Sequence, residues 1–472
     1  MRLSQFKKSI GVRIANIAQF SFNSKKEASM IKRIVCTLAV ILVTASPLYA
    51  GFLEKDVVKS DWFKVGGDFR IREVGFNNII TWNNDNKADQ QHFWRLRTRL
   101  YFQADPCEQI TLYSRFTNEW RYYAKPKNRE HPLRDEIILD NAYINVKGPG
   151  DLPITLKAGR QDLIYGEGFL ILDGTPLDGS RTIFSDGGKL TLDLDQTTVD
   201  FLAIWNTGKQ WFAINKNTDP LGAGDPPGRL DSQTIGVFGA YLTNKNLIED
   251  QKLEAYYLYK HGLTSETDPD KWPDNQVNVI GGRLSGPINE QIKYAGEMAL
   301  QLGEYDSHAM TAFGGYAHAT YTVTDCDLKP ALTLEYVYLS GDNPNSQSYG
   351  GWDPILARWP KWSELYIYSQ VPEKDIAYWT NTQIYRAKVG VVPIEKMTVD
   401  LVYQYLRANI SGSGTGVFGT GKDRGQNPQF ILKYAFTDWL SGHLWGEYFM
   451  PGNFYADDDD GFFARWQLLA KF

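Results

Sequence analysis

Short and long connections alternate along this chain between stretches in which every second residue is apolar, and few folds accommodate that pattern. The alternating stretches fall at 64–74, 92–103, 109–121, 136–147, 153–162, 181–193, 197–207, 233–243, 251–261, 276–286, 291–302, 310–323, 330–341, 376–391, 397–408, 428–436, 440–450 and 462–472. Each is about the length a tilted strand needs to cross a bilayer, roughly ten residues. The connections at 105–108, 148–152, 194–196, 244–250, 287–290, 324–329, 392–396 and 437–439 are short. Those at 75–91, 122–135, 162–180, 208–232, 262–275, 303–309, 342–375, 409–427 and 451–461 are mostly longer, the seven-residue link at 303–309 being the weakest member. A sandwich or a propeller gives no reason for this alternation. A closed, even-stranded barrel does, with short turns on the side that holds both chain ends. The expected fold is all-β: a transmembrane antiparallel β-barrel of about 18 strands, with short periplasmic turns and long extracellular loops.

The beginning of the chain points the same way. Lys32 and Arg33 after Met30, an apolar run at 34–47 and Ala50 at the cut read as a secretory signal peptide, too short for a spanning helix. Residues 1–29 precede this second start. The expected division is an upstream extension and signal peptide at 1–50 and an outer-membrane barrel at 51–472. Of the 50 Lys/Arg and 55 Asp/Glu, eight and one lie in the first fifty residues, so the remainder carries a net charge of −12. That acidity argues against nucleic acid as a partner. Beyond the signal no apolar run is long enough for a membrane helix, whereas alternating strands never produce such a run. Cys107 and Cys326 fall in expected periplasmic turns and should be free thiols. The last stretch, 462–472, alternates to a final Phe472 and resembles the closing strand of bacterial outer-membrane barrels.

Period two assigns the side chains to two faces. In 92–103, Trp94, Leu96, Leu100 and Phe102 share one face, and Arg95, Arg97 and Arg99 the other. Apolar sets such as Leu332, Leu334, Tyr336 and Tyr338, or Val199, Phe201, Ala203 and Trp205, fit a lipid face with an aromatic girdle. The other parity is polar: Asp68, Arg70 and Arg72; Arg115, Glu119 and Arg121; Arg386 and Lys388; Arg465 and Gln467. Guanidinium groups stay charged and grip carboxylates bidentately, so these arginines either meet an anionic solute or pair with Asp68 and Glu119. The candidate pore-lining residues are Arg70, Arg72, Arg95, Arg97, Arg99, Arg115, Arg386, Lys388 and Arg465. The six histidines have no metal-ligand spacing, and no P-loop or G-x-S-x-G elbow occurs, so neither an enzyme, a cofactor nor a metal is expected. The aspartates at 457–460 read as a solvated acidic tip.

The stretch around Gly159-Arg160-Gln161, LKAGRQDLIYGEGFLILDGTPLDGSRTIFSDGGKL, resembles the G-R-Q segment of the alginate-export family of outer-membrane proteins. So do LEYVYLSGD ending at Asp342, the RWPKWSEL run from Arg358, and YFMPG from Tyr448. The resemblance implies a monomeric barrel that passes a polyuronate through an arginine-rich constriction, and it adds Arg160 to the candidates. It also implies periplasmic export or uptake components as partners, beside the anionic saccharide and outer-membrane lipid. The expected function is passive, facilitated passage of anionic polysaccharide or oligosaccharide. The alternatives are a porin for small anionic nutrients and a barrel-anchored adhesin using the aromatic loop at 352–368. That loop either stays on the surface or folds inward and narrows the pore.

Overall fold

The computed structural model describes residues 58–126, 136–172, 184–208, 213–214 and 233–472. The signal peptide and the alternative start at Met30 lie outside the described residues. Eighteen long strands follow one another: β1 (Phe63–Asn77), β2 (Gln91–Cys107), β3 (Ile110–Lys125), β4 (Ile137–Lys147), β5 (Ile154–Gln161), β6 (Ser185–Leu194), β7 (Thr197–Asn206), β8 (Ile235–Asn244) and β9 (Lys252–Gly262). The second half comprises β10 (Asn275–Pro287), β11 (Ile292–Tyr305), β12 (His308–Thr322), β13 (Ala331–Leu339), β14 (Thr382–Val391), β15 (Met397–Arg407), β16 (Asp423–Ala435), β17 (Leu440–Pro451) and β18 (Gly461–Lys471). Each strand pairs antiparallel with the next, and β1 pairs with β18 from Asp68 opposite Lys471 to Asn77 opposite Phe462. The sheet is therefore closed, which leaves no unpaired edge to face hydrocarbon. No α-helix occurs among the described residues.

The seam is fastened by the chain end. Phe472 N donates to Gly67 O at 3.0 Å, and Gly67 N donates to Phe472 O at 2.8 Å. Gly67 permits this approach because a Cβ there would lie 2.2 Å from Arg99 O and 2.9 Å from the Phe472 ring.

Three expectations need correcting. The link at 303–309 is a two-residue turn, Asp306 and Ser307, with φ of 48° and 62°. Both residues are left-handed, as a tight hairpin between right-twisted strands requires. The stretch expected as strand from 376 enters β14 only at Thr382, because Ala377 and Asn381 adopt positive φ and end the alternation. β16 begins at Asp423, not 428: Pro428 sits inside the strand, where its missing N–H leaves a gap in the pairing with β17 between Gln426 and Gln429.

The two faces are as the period requires. Leu334 and Phe201 are 57% and 48% exposed on the outer face, while Glu335 and Leu202 beside them are buried. Register stacks the outer face in bands: Leu332, Val389, Leu401 and Phe430, then Tyr336, Tyr385 and Tyr405, then Gln383, Arg407 and Asp423 nearest the long loops. Apolar belt, tyrosine girdle and polar rim follow one another as at a membrane boundary.

Candidate functional site

Pairing register turns the scattered arginines into one surface. Arg72 lies opposite Arg95, and Arg95 opposite Arg121. The next row is Arg70, Arg97 and Glu119; the row after it is Asp68, Arg99 and Thr117; then come Gly66, Tyr101 and Arg115. Strands lie about 5 Å apart and same-face residues about 7 Å apart along a strand, so this is a dense basic face on three adjacent strands.

Its side chains are also committed to partners, as the second reading of the sequence allowed. Glu119 accepts from Arg70 at 2.6 Å and from Arg95 at 2.7 Å. Asp68 accepts from Arg97 at 2.6 Å and lies 3.8 Å from Arg99. Arg115 bridges Asp140 and Asp162, both at 3.0 Å, and Arg72 donates to Gln467 at 2.5 Å. These bonds hold the guanidinium groups against the wall in fixed geometry. Arg121, left out of the sequence-based candidates, stands 4.8 Å from the Phe93 ring and donates to the Tyr123 hydroxyl at 3.2 Å. Its parity with Arg115 was the available signal.

The remaining candidates sit elsewhere. Arg386 pairs with Glu335 at 2.8 Å, and Lys388 stands opposite Thr333 two residues further along the strand. Arg465 donates to His443 at 2.9 Å and pairs with Glu364 at 2.8 Å. Arg160 is held bidentately by Asp186 at 2.6 and 2.9 Å, donates to Leu139 O and lies 3.7 Å from the Phe184 ring.

The segment between β13 and β14 folds inward. Trp352, Asp353, Ser363 and Tyr366 are at most 1% exposed. Lys260 on β9 pairs with Asp353 at 2.5 Å, while Gln301 on β11 exchanges two hydrogen bonds with the Asp353 backbone. Trp362 donates its indole N–H to Glu335, and its carbonyl accepts from Gln404 and Gln429. Glu447 on β17 accepts from the Ser363 hydroxyl at 2.5 Å and from Glu364 N at 2.7 Å. These aromatics therefore form the inner packing of the barrel and not the adhesive surface the sequence allowed for. Trp352 is admitted by Gly314, where a Cβ would come within 2.6 Å of the indole.

A second inward loop, 162–172, meets the first. Leu356 N donates to Leu170 O at 3.0 Å, and Phe169 stacks on Trp352 at 5.2 Å. Glu167 ties this loop to the wall: His318 Nε2 and Arg283 Nη2 each lie 3.0 Å from its carboxylate, with Lys361 Nζ at 3.7 Å. Burial alone would raise the Glu167 pKa, but His318, Lys361 and Arg283 together hold it at about 2. A carboxylate depressed on folding contributes stability above its unfolded pKa of about 4.3 and loses it as pH falls towards the folded value. Current noise from this loop should accordingly be constant from neutral pH to about pH 5 and grow only below about 4. An onset near pH 6 would assign the latch to another group.

The sequence matches the family described as alginate export over residues 61–464. Of the curated proteins, none matches it significantly. Among solved structures, Acinetobacter baumannii OccAB4 aligns with a TM-score of 0.53 at 12% identity, covering 87% of this chain and 99% of that one. Pseudomonas aeruginosa OpdQ gives 0.52 at 14% identity over 87% and 97%. The outer membrane protein OprD from Pseudomonas aeruginosa gives 0.50 at 9% identity over 89% and 97%. At these identities the likeness establishes the fold. The family match adds the rest: the protein is a channel of the bacterial outer membrane, and the chain belongs to the alginate export family.

Proposed function

We propose that the channel passes anionic saccharides, polymer or oligomer, by passive facilitated passage along the basic face of β1–β3. The observation that carries this is the register. It gathers Arg70, Arg72, Arg95, Arg97, Arg99, Arg115 and Arg121 on one side of the lumen against Asp68, Glu119, Asp140 and Asp162. Seven guanidinium groups thus exceed four carboxylates. The inward segment is anchored on β9, β11, β13 and β15–β18 and touches β1 where Tyr368 meets Phe76 at 5.2 Å; on this reading the passage runs between the rest of the segment and the arginines. Arginines already pinned by carboxylates bind a passing anion weakly enough to release it, which conduction requires.

Planar-bilayer recording tests this. Anion-selective current should be blocked by an oligouronate at concentrations where a neutral oligosaccharide of equal length has no effect. Equal block by both, or cation preference, would overturn the reading. The narrowing by two inward loops favours a second reading, a porin for small anionic nutrients. In that case a monomeric uronate should permeate and the oligomer should merely plug the mouth.

A further inference from the structure

Next to the arginine face, towards the short turns, three tyrosines on neighbouring strands form a single stack. The rings of Tyr101 and Tyr113 lie 5.7 Å apart at 19°, and those of Tyr113 and Tyr143 lie 5.1 Å apart at 18°. Their parity is that of the lumen: Tyr101 follows Arg99 by two, Tyr113 precedes Arg115 by two, and Tyr143 follows Asn141, which donates to Asp162. The stack is fixed at both ends. Lys157 Nζ sits 3.9 Å from the centre of the Tyr143 ring. Tyr101 leans over Gly66, where an added Cβ would come within 2.5 Å of its hydroxyl.

All three rings are half-buried, so their edges border the lumen. Among the described residues the hydroxyls of Tyr113 and Tyr143 have no hydrogen-bond partner, and neither is shut away from solvent. Stacking alone would be met by phenylalanine; a phenol adds a donor and an acceptor that this wall does not use. Amines flank the row. Lys64, beside Gln103 opposite Tyr113, lies 3.5 Å from Asp105, and in the next row Lys157 faces Lys189, which lies 3.5 Å from Asp200.

We infer that the Tyr101–Tyr113–Tyr143 stack is a second saccharide-binding station at the short-turn mouth of the channel. The phenol hydroxyls of Tyr113 and Tyr143 bond the hydroxyl-bearing edge of a sugar, and the neighbouring lysines attract its carboxylate. Because the rings are already ordered by stacking, little side-chain entropy is lost when a sugar binds. The station rests on the anionic-saccharide reading and deepens it, since a channel for small inorganic anions has no use for a row of phenols. It acts before the arginine face on a solute arriving from the periplasm.

The test is the double variant Tyr113→Phe/Tyr143→Phe, which keeps every ring. Block by an oligouronate added on the short-turn side is measured in planar bilayers, with anion preference recorded in the same membrane as the report on the arginine face. Loss of two hydrogen bonds should weaken the block roughly tenfold, mainly through shorter blocked times. Wild-type block in the double variant would overturn the station while leaving the anionic-saccharide reading intact. A wild-type channel that no oligouronate blocks would overturn both. Should the double variant fail to insert, Lys157→Gln leaves all three tyrosines in place; it should weaken the block several-fold, and an unchanged block would overturn the station.

Discussion

Replacing residues 350–369 with a short glycine-serine linker is expected to raise single-channel conductance several-fold. The excised stretch carries Trp352, Asp353, Trp362, Ser363, Glu364 and Tyr366, which occupy the lumen. The barrel does not need them to close, because every strand is paired with its neighbours and β1 with β18. Glu335 keeps Arg386, while Lys260 loses Asp353 and Glu447 loses Ser363 and Glu364. Lys260 and Glu447 then face the water that replaces the segment, which spares them the roughly 3–5 kcal/mol that a buried orphan charge would cost. Gly314→Val probes the same contact without a deletion, since its Cβ must displace the Trp352 ring from 2.6 Å. It should give bursts to a higher conductance from a wild-type baseline. Unchanged conductance in both variants would show that the current flows entirely outside the volume the segment fills.

The wall was legible in the sequence because period two and a closed lipid belt leave each strand a single acceptable phase. Thus Trp94 and Leu96 could be assigned outward and Arg95 and Arg97 inward before any pairing was known. Strand ends were less legible where other physics imitates a strand. Tyr378 and Trp379 look like alternating strand residues, yet they pack in the inward segment and are buried there. Pro428 looks like a boundary, yet the ladder tolerates it at the cost of a gap. The site was half legible. That Arg70, Arg97 and Glu119 form one row depends on the stagger between strands, which no single strand encodes. The inward fold of 340–381 depends on partners far along the chain, such as Lys260 for Asp353 and Glu447 for Ser363. Arg160 is the opposite case: a recognisable motif marks it, whereas its pairing with Asp186 could not be read from the motif.

The triple variant Arg95→Gln, Arg97→Gln, Arg99→Gln is expected to abolish anion preference. It leaves Arg70, Arg72, Arg115 and Arg121 against Asp68, Glu119, Asp140 and Asp162, so the excess positive charge on this face falls to zero. Glutamine keeps a hydrogen-bond donor for each carboxylate, and Glu119 retains Arg70 at 2.6 Å, so the wall should stay in place. Asp68 loses both of its arginines and becomes the group most available to a cation. The zero-current potential across a potassium chloride gradient should therefore shift to the cation side or to zero. The contrast with wild type should be large in dilute salt, where charges act over about 10 Å, and small at 1 M, where they act over about 3 Å. That salt dependence separates the arginine face from a mere change of pore width, which would alter conductance equally at both concentrations. An anion preference that survives the triple change, with the same salt dependence, would move the selective charge away from β1–β3.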